Sequence, residues 1–151
     1  MRRLGSHFEF DLELAKKQSL DNPVFYVQYA HARICSALRH CAELKPHLRI
    51  EALTAHTVDS SLLRTAEEQE LIRHLAQCNE MLRQTAATCE PHRVTLYAET
   101  LAELFHRYYN QHQIVTEDDA LARARVALAV VTGRVLRTVL GVLGVTAPER
   151  M

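Results

Sequence analysis

Three side chains on one helix carry the first chemical signal. In NPVFYVQYAHARICSALR, residues 22–39, a helical turn of about 100° per residue puts Tyr26, Tyr29 and Arg33 together on one side. Val24, Val27, His31, Ile34, Cys35 and Leu38 fall on the opposite stripe. Phenols and a guanidinium stack on exposed bases and reach phosphates, so this face suits an RNA loop. It equally suits a helix sandwiched between two others, because buried tyrosines are common, and the spacing leaves both readings open. Tyr109 offers another aromatic ring further along, and Arg123, Arg125, Arg134 and Arg137 offer phosphate partners.

Other chemistries find less support. His74 and Cys78 share a helix face, and Cys89 and His92 lie at the next break, but this is no zinc-ligand pattern and Pro91 interrupts the second pair. The expectation is no metal, with the cysteines acting as small hydrophobes. There is no glycine-rich phosphate loop, no glycine-flanked serine and no strand context for either, which speaks against a self-contained hydrolase, kinase or dinucleotide enzyme.

The elements that position these residues read as helices. Phe10 to Gln18 predicts a short leader. Asn22 or Asp21 caps the next helix, with Pro23 at its first position, and Lys45-Pro46 stops it. Residues 46–64 read as a connection or a loosely formed helix. Thr65-Ala-Glu-Glu68 has capping-box spacing and opens a helix running to about Ala87, with Leu71, Ile72, Leu75, Cys78 and Leu82 inward and Glu67, Glu68, Glu70, Arg73 and Glu80 outward. Pro91 opens a helix carrying Val94, Tyr97, Ala98, Leu101, Leu104, Phe105 and Tyr108 at three-four spacing. Thr116 is the candidate cap of the last helix, apolar on most sides from Leu121 to Leu143, with Gly141 and Gly144 as its end residues. The fold class is therefore all-α, an antiparallel bundle of about four long helices plus a short N-terminal helix.

Length and composition agree: 151 residues make one ordinary domain, with 48% hydrophobic and 24% charged residues, four glycines, four prolines and no tryptophan. Four cysteines without paired spacing, and no secretory signal, point to a reducing cytoplasm. The uncharged runs 126–133 and 138–148 are far shorter than the roughly 20 residues that cross a bilayer, so no membrane partner is expected. The zero net charge hides an uneven distribution. Residues 1–50 carry eight Lys/Arg against five Asp/Glu, residues 51–119 five against twelve, and residues 120–151 five against one, giving +3, −7 and +4. If the first and last thirds lie side by side, they offer a polyanion a positive surface; otherwise the blocks are solvated faces.

Tyr26-Val27-Gln28-Tyr29-Ala30-His31-Ala32-Arg33, read with Asp11-Leu12-Glu13-Leu14-Ala15 and the ending Leu143-Gly144-Val145-Thr146-Ala147-Pro148-Glu149-Arg150-Met151, resembles the C-terminal region of bacterial-type arginyl-tRNA synthetases, in the same order over nearly the whole chain. The resemblance implies the DALR-type, all-helical anticodon-binding bundle over residues 21–151, with residues 1–20 a connection from a catalytic domain and Met1 not a natural start. ATP and Mg would belong to that domain, whose HIGH-type and KMSKS-type signatures are missing here, so no catalytic residue and no cofactor is expected in this chain. Partners would be the tRNA(Arg) anticodon arm and the catalytic domain, in a monomer. Tyr29, Tyr109 and Asn110 would meet bases, Arg33, Arg123 and Arg125 phosphates, and Met151 would lie against the loop. Tyr108-Tyr109-Asn110 departs from a frequent Phe-Tyr-Asn, and Ala124-Arg125-Val126 from Ala-Arg-Leu. The alternatives are a stand-alone helical protein-interaction module, which needs a broad exposed apolar patch, and a non-catalytic tRNA-binding paralogue.

Overall fold

The computed structural model describes residues 11–17, 19, 21–48, 53 and 57–151. Its helices are α1 (Leu12–Lys16), α2 (Pro23–Leu44), α3 (Ala66–Ala76), α4 (Cys78–Thr88), α5 (His92–Gln111) and α6 (Asp119–Val142), with a 3-10 turn at Ser60–Leu62. Among the described residues there is no strand. The ends of the expected leader helix, Phe10 and Gln18, and much of the 46–64 connection lie outside the described residues; what is described of the leader is the five-residue α1.

Each long helix starts where a side chain or proline relieves its free N–H groups. The Asn22 Oδ1 accepts from the Val24 N–H at 3.1 Å with Pro23 at the first helical position, and α2 runs to Leu44 before Pro46. The capping box forms as read: the Glu68 N–H donates to Thr65 Oγ1, and the Thr65 N–H to Glu68 Oε2 at 2.9 Å. For α6 the cap is Asp118, not Thr116. The Asp118 carboxylate accepts from the Ala120 and Leu121 N–H groups, while the Thr116 hydroxyl donates to the Asp118 carbonyl, so threonine shapes the approach and aspartate satisfies the helix.

The second long helix is broken in two. It breaks at Gln77, whose N–H bonds to the His74 carbonyl in a tightened turn, and the resulting α3 and α4 both stay packed on α5. Direction alternates along the chain, so α2 and α5 run parallel and pack directly, while α6 returns antiparallel to both. Their common core is Val27, Ala30, Ile34, Ala37 and Cys41 of α2, Leu101, Phe105 and Tyr108 of α5, Val126, Ala129 and Leu136 of α6, and Leu71 of α3. Helices α2 and α6 approach closely where Gly133 faces Ile34: a Cβ on Gly133 would lie 3.1 Å from Ile34 Cγ2.

Two helical-wheel expectations change. Val24, on the apolar stripe of α2, is 47% exposed, at a small hollow that it lines with Ala98, Leu140 and Val145. Glu68, read as outward, is fully buried, since closing the capping box turns its carboxylate inward toward Arg125.

Candidate nucleic-acid interface

Parallel packing of α2 on α5 brings together residues 73 to 80 positions apart. The Arg33 guanidinium carbon lies over the Tyr109 ring, 4.3 Å from its centroid. One of its nitrogens donates to Asn110 Oδ1 at 2.8 Å, and the other approaches His106 Nδ1 at 3.3 Å. Tyr29 stacks on the outer side of His106 with centroids 5.6 Å apart and planes at 27°, and Tyr26 tilts against the same ring at 4.9 Å. Tyr29, Arg33 and Tyr109 remain half-buried and Asn110 is exposed, so the cluster is a wall and not a core.

A cleft of about 390 Å³ continues from this wall toward the ends of α2 and α5. It is lined by Ala37, His40 and Leu44 on one side and by Tyr109, His112 and residues 113–115 on the other. A second hollow over Ser36, Arg39 and His40 shares Tyr109 with it.

On the other flank of α2 lies the chain's end. Gly144, at φ +72°, closes α6 with the Val145 N–H bonded back to the Leu140 carbonyl, and this left-handed turn sends the tail along α2. The Gln28 amide donates to the Thr146 carbonyl at 2.8 Å, and both outer nitrogens of Arg39 donate to the Glu149 carbonyl at 3.3 Å. His31, buried within α2, is 2.8 Å from the Pro148 carbonyl through Nδ1, which must therefore carry the proton. Arg137 of α6 pairs with the Glu149 carboxylate, tying α6 to the same strap. The outer ridge of α2 thus runs between an aromatic wall from α5 and a strap that ends in the half-exposed Met151.

Burial sets the protonation of the wall. It pushes the His106 imidazole down from 6.5 to about 4, the nearby Arg33 charge adds to this, and the Tyr26 main chain acts on the imidazole the other way, as the smallest of the three. Burial also raises the Tyr26 phenol, with Glu103 contributing. The wall thus holds a neutral imidazole and one guanidinium whose close partners among the described residues are uncharged.

Of the residues expected to meet RNA, the structure groups Tyr29, Arg33, Tyr109 and Asn110. Arg123 is half-exposed on α6, has no ion pair among the described residues and makes no contact with this group. Arg125 must be taken out of the set. Its side chain is 11% exposed, donates to Glu68 Oε1 at 2.8 Å and to the Gln113 carbonyl at 2.8 Å, and so ties α6 to α3 inside the bundle. His106 was not singled out by spacing; its neighbours on α2 become visible only once the helices pair.

The expected meeting of the first and last thirds is found in the packing of α2 on α6 and in the two arginines, Arg39 and Arg137, that hold Glu149. Several carboxylates of the acidic middle are paired with basic groups: Glu70 with Arg107, Glu67 with His112, and Asp119 with Lys45 and His47. His74, considered for zinc, stacks on Tyr97 at 4.3 Å, and no group of three or more possible metal ligands occurs among the described residues. No helix among them is long and apolar enough to cross a membrane.

Comparison with known proteins gives the same direction. The arginine–tRNA ligase of Desulforamulus reducens is 47% identical over 152 residues, covering 100% of this chain and 26% of that protein. That of Symbiobacterium thermophilum is 48% identical over 151 residues with the same coverage. The solved arginyl-tRNA synthetase of Thermus thermophilus superposes with a TM-score of 0.69 at 32% identity, over 83% of this chain and 21% of that one. The chain therefore spans about a quarter of the length of the curated relatives it matches. Residues 27–151, from the core of α2 to the end of the strap, match the family model of the DALR anticodon-binding domain, and the chain belongs to that family.

Proposed function

We propose that this chain docks the anticodon arm of tRNA(Arg) and so positions that tRNA for arginyl transfer by the catalytic part of an arginine–tRNA ligase. The reading holds the protein to be a cytoplasmic monomer and leaves ATP and Mg chemistry to the catalytic part. The observation that carries it is Arg33, a half-buried guanidinium over the Tyr109 ring with uncharged acceptors beside it, one turn from Tyr29. A cation so held keeps its charge for a partner. Flat aromatic groups at its sides accept unstacked bases, and its remaining N–H donors reach a phosphate or a base edge.

In this reading Tyr29 and Tyr109 stack against loop bases, Arg33 and Asn110 hydrogen-bond to the loop, Arg123 meets phosphate further along the arm, and Met151 closes the site from the strap. Binding energy gathered on the loop orients a distant acceptor end, and a loop of different sequence fails to gather it. Titration of fluorescently labelled tRNA(Arg) and of a tRNA with another anticodon tests this. Binding of tRNA(Arg) should be tighter, should weaken steeply as salt rises, and should fall about tenfold or more in both Tyr29→Ala and Arg33→Ala. Equal affinity for the two tRNAs, or unchanged affinity in both variants, would overturn the assignment.

A further inference from the structure

Behind the wall stands a side chain that touches its members and meets almost no solvent. His106 is 8% exposed, with Tyr26 and Tyr29 against its ring and Phe105 at 6.1 Å. Arg33 can only donate, so the 3.3 Å contact requires a lone pair on His106 Nδ1 and leaves the proton on Nε2, which is buried without a hydrogen-bond partner. Keeping a polar N–H orphaned in this way is unfavourable, and a leucine of similar size would avoid it. What the imidazole supplies in return is an acceptor without charge. A carboxylate in its place would also hold the guanidinium, but it would neutralise the cation and repel a phosphate. Asn110 makes the second contact to Arg33 with the same kind of group, an amide oxygen.

We propose that His106 is a positioning residue for RNA contact: clamped by Tyr26 and Tyr29, its Nδ1 holds the Arg33 guanidinium over the Tyr109 ring with its charge uncompensated. The proposal rests on the reading of this wall as the anticodon-loop surface and adds the reason the wall is set before RNA arrives. A side chain fixed beforehand loses less rotamer freedom on binding, so removing the fixing group weakens binding even though it never touches the ligand. What is lost is the ordering of Arg33, since a leucine in place of His106 can still back Tyr29.

Two measurements on this 151-residue chain test it: side-chain NMR of Arg33 in 15N-labelled protein, and titration with tRNA(Arg). In His106→Leu the Arg33 Nε–H signal should broaden or move toward that of a free arginine, and tRNA(Arg) affinity should drop about tenfold. His106→Asn, whose side-chain oxygen can stand near the Nδ1 position, should retain the ordered signal and most of the affinity. In an Arg33→Ala background, His106→Leu should cause no further loss. An Arg33 signal unchanged by His106→Leu, or losses that multiply in the double variant, would overturn the positioning role and leave the anticodon reading standing. Failure of the unaltered chain to bind tRNA(Arg) would overturn the anticodon reading and the RNA half of this proposal together, even with Arg33 ordered by His106.

Discussion

Arg33 and Arg125 are the same residue used in two opposite ways. Both are stem-buried arginines on long helices, and both bridge to an element far away in sequence. Arg125 ends on the Glu68 carboxylate in the interior, while Arg33 ends on an imidazole, an amide and a phenol ring at the edge of the bundle. A charged partner makes an arginine part of the scaffold; uncharged partners leave it available to a ligand. The distinction lies in the partner's chemistry as much as in exposure, and it marks which arginine is structural and which stays open to a ligand.

The largest consequence falls on the scaffold arginine. Glu68 is fully buried, and its oxygens accept from Arg125 and from the Thr65 N–H. Removing one member of a buried pair strands the other, so Glu68→Ala and Arg125→Ala should each cost about 3–5 kcal/mol in urea unfolding. Any loss of tRNA binding in Arg125→Ala should then track the unfolded fraction and vanish in conditions that restore the fold. A stable Arg125→Ala protein that has nonetheless lost tRNA affinity would return Arg125 to the contact set.

Acid should separate the two regions next. His106 is held neutral in the folded chain, lowered from 6.5 to about 4 by burial and by Arg33, so the unfolded chain takes up a proton that the folded one refuses. Stability from this group is complete above pH 6.5 and is lost as pH falls toward 4, by up to about 3 kcal/mol. For Glu68, burial works to raise the carboxyl, but the Thr65 N–H and Arg125 outweigh it and bring it below 4.5, so its contribution is lost only below that pH. Urea unfolding between pH 7 and 4.5 should therefore show a fall that His106→Leu largely removes and that Glu68→Gln does not.

Substitution of the open arginine should be milder for the fold. Its stacking and partly exposed hydrogen bonds are worth about 1 kcal/mol, so Arg33→Ala should unfold at nearly the same urea concentration while losing tRNA affinity. Arg33→Lys keeps the charge but loses the planar fork and its contact with the Tyr109 ring. It should restore the salt dependence of binding without restoring full affinity. Full recovery with lysine would mean that only the point charge matters and that stacking on Tyr109 does not.

What could be read from the sequence follows the range of the interactions. The α2 start, the Thr65 capping box and the α5 stripe are fixed by neighbours within a turn or two, and they form as read. Tyr29 and Arg33 share a helix face by spacing alone, Tyr109 stands out as an aromatic ring further along, and the family resemblance supplies Asn110. The roles of Arg125 and His106 depend on partners 57 and 73 positions away, and no local pattern carries that information. Glu68 shows why: as the third residue after a threonine cap it looks solvent-facing, yet the same geometry that completes the cap points its second oxygen at α6. The bend at Gln77 likewise has no proline or glycine to announce it.

The smallest expected effect carries the same lesson within one helix. Tyr97 and Tyr108 of α5 are both buried tyrosines. The Tyr97 hydroxyl donates to the His74 carbonyl at 3.0 Å, whereas the Tyr108 hydroxyl is buried without a partner, at the position where the family often carries phenylalanine. Deleting a bonded hydroxyl leaves the carbonyl it served unsatisfied; deleting an orphaned one removes a desolvated group that nothing compensated. Tyr97→Phe should cost about 1 kcal/mol, and Tyr108→Phe should leave stability unchanged or raise it by up to about 1 kcal/mol, read as opposite shifts in the urea midpoint at equal slope. A clear loss in Tyr108→Phe would mean that its hydroxyl has a partner after all, with the nearby Glu68–Arg125 pair the first place to look, since both charges already act on that phenol.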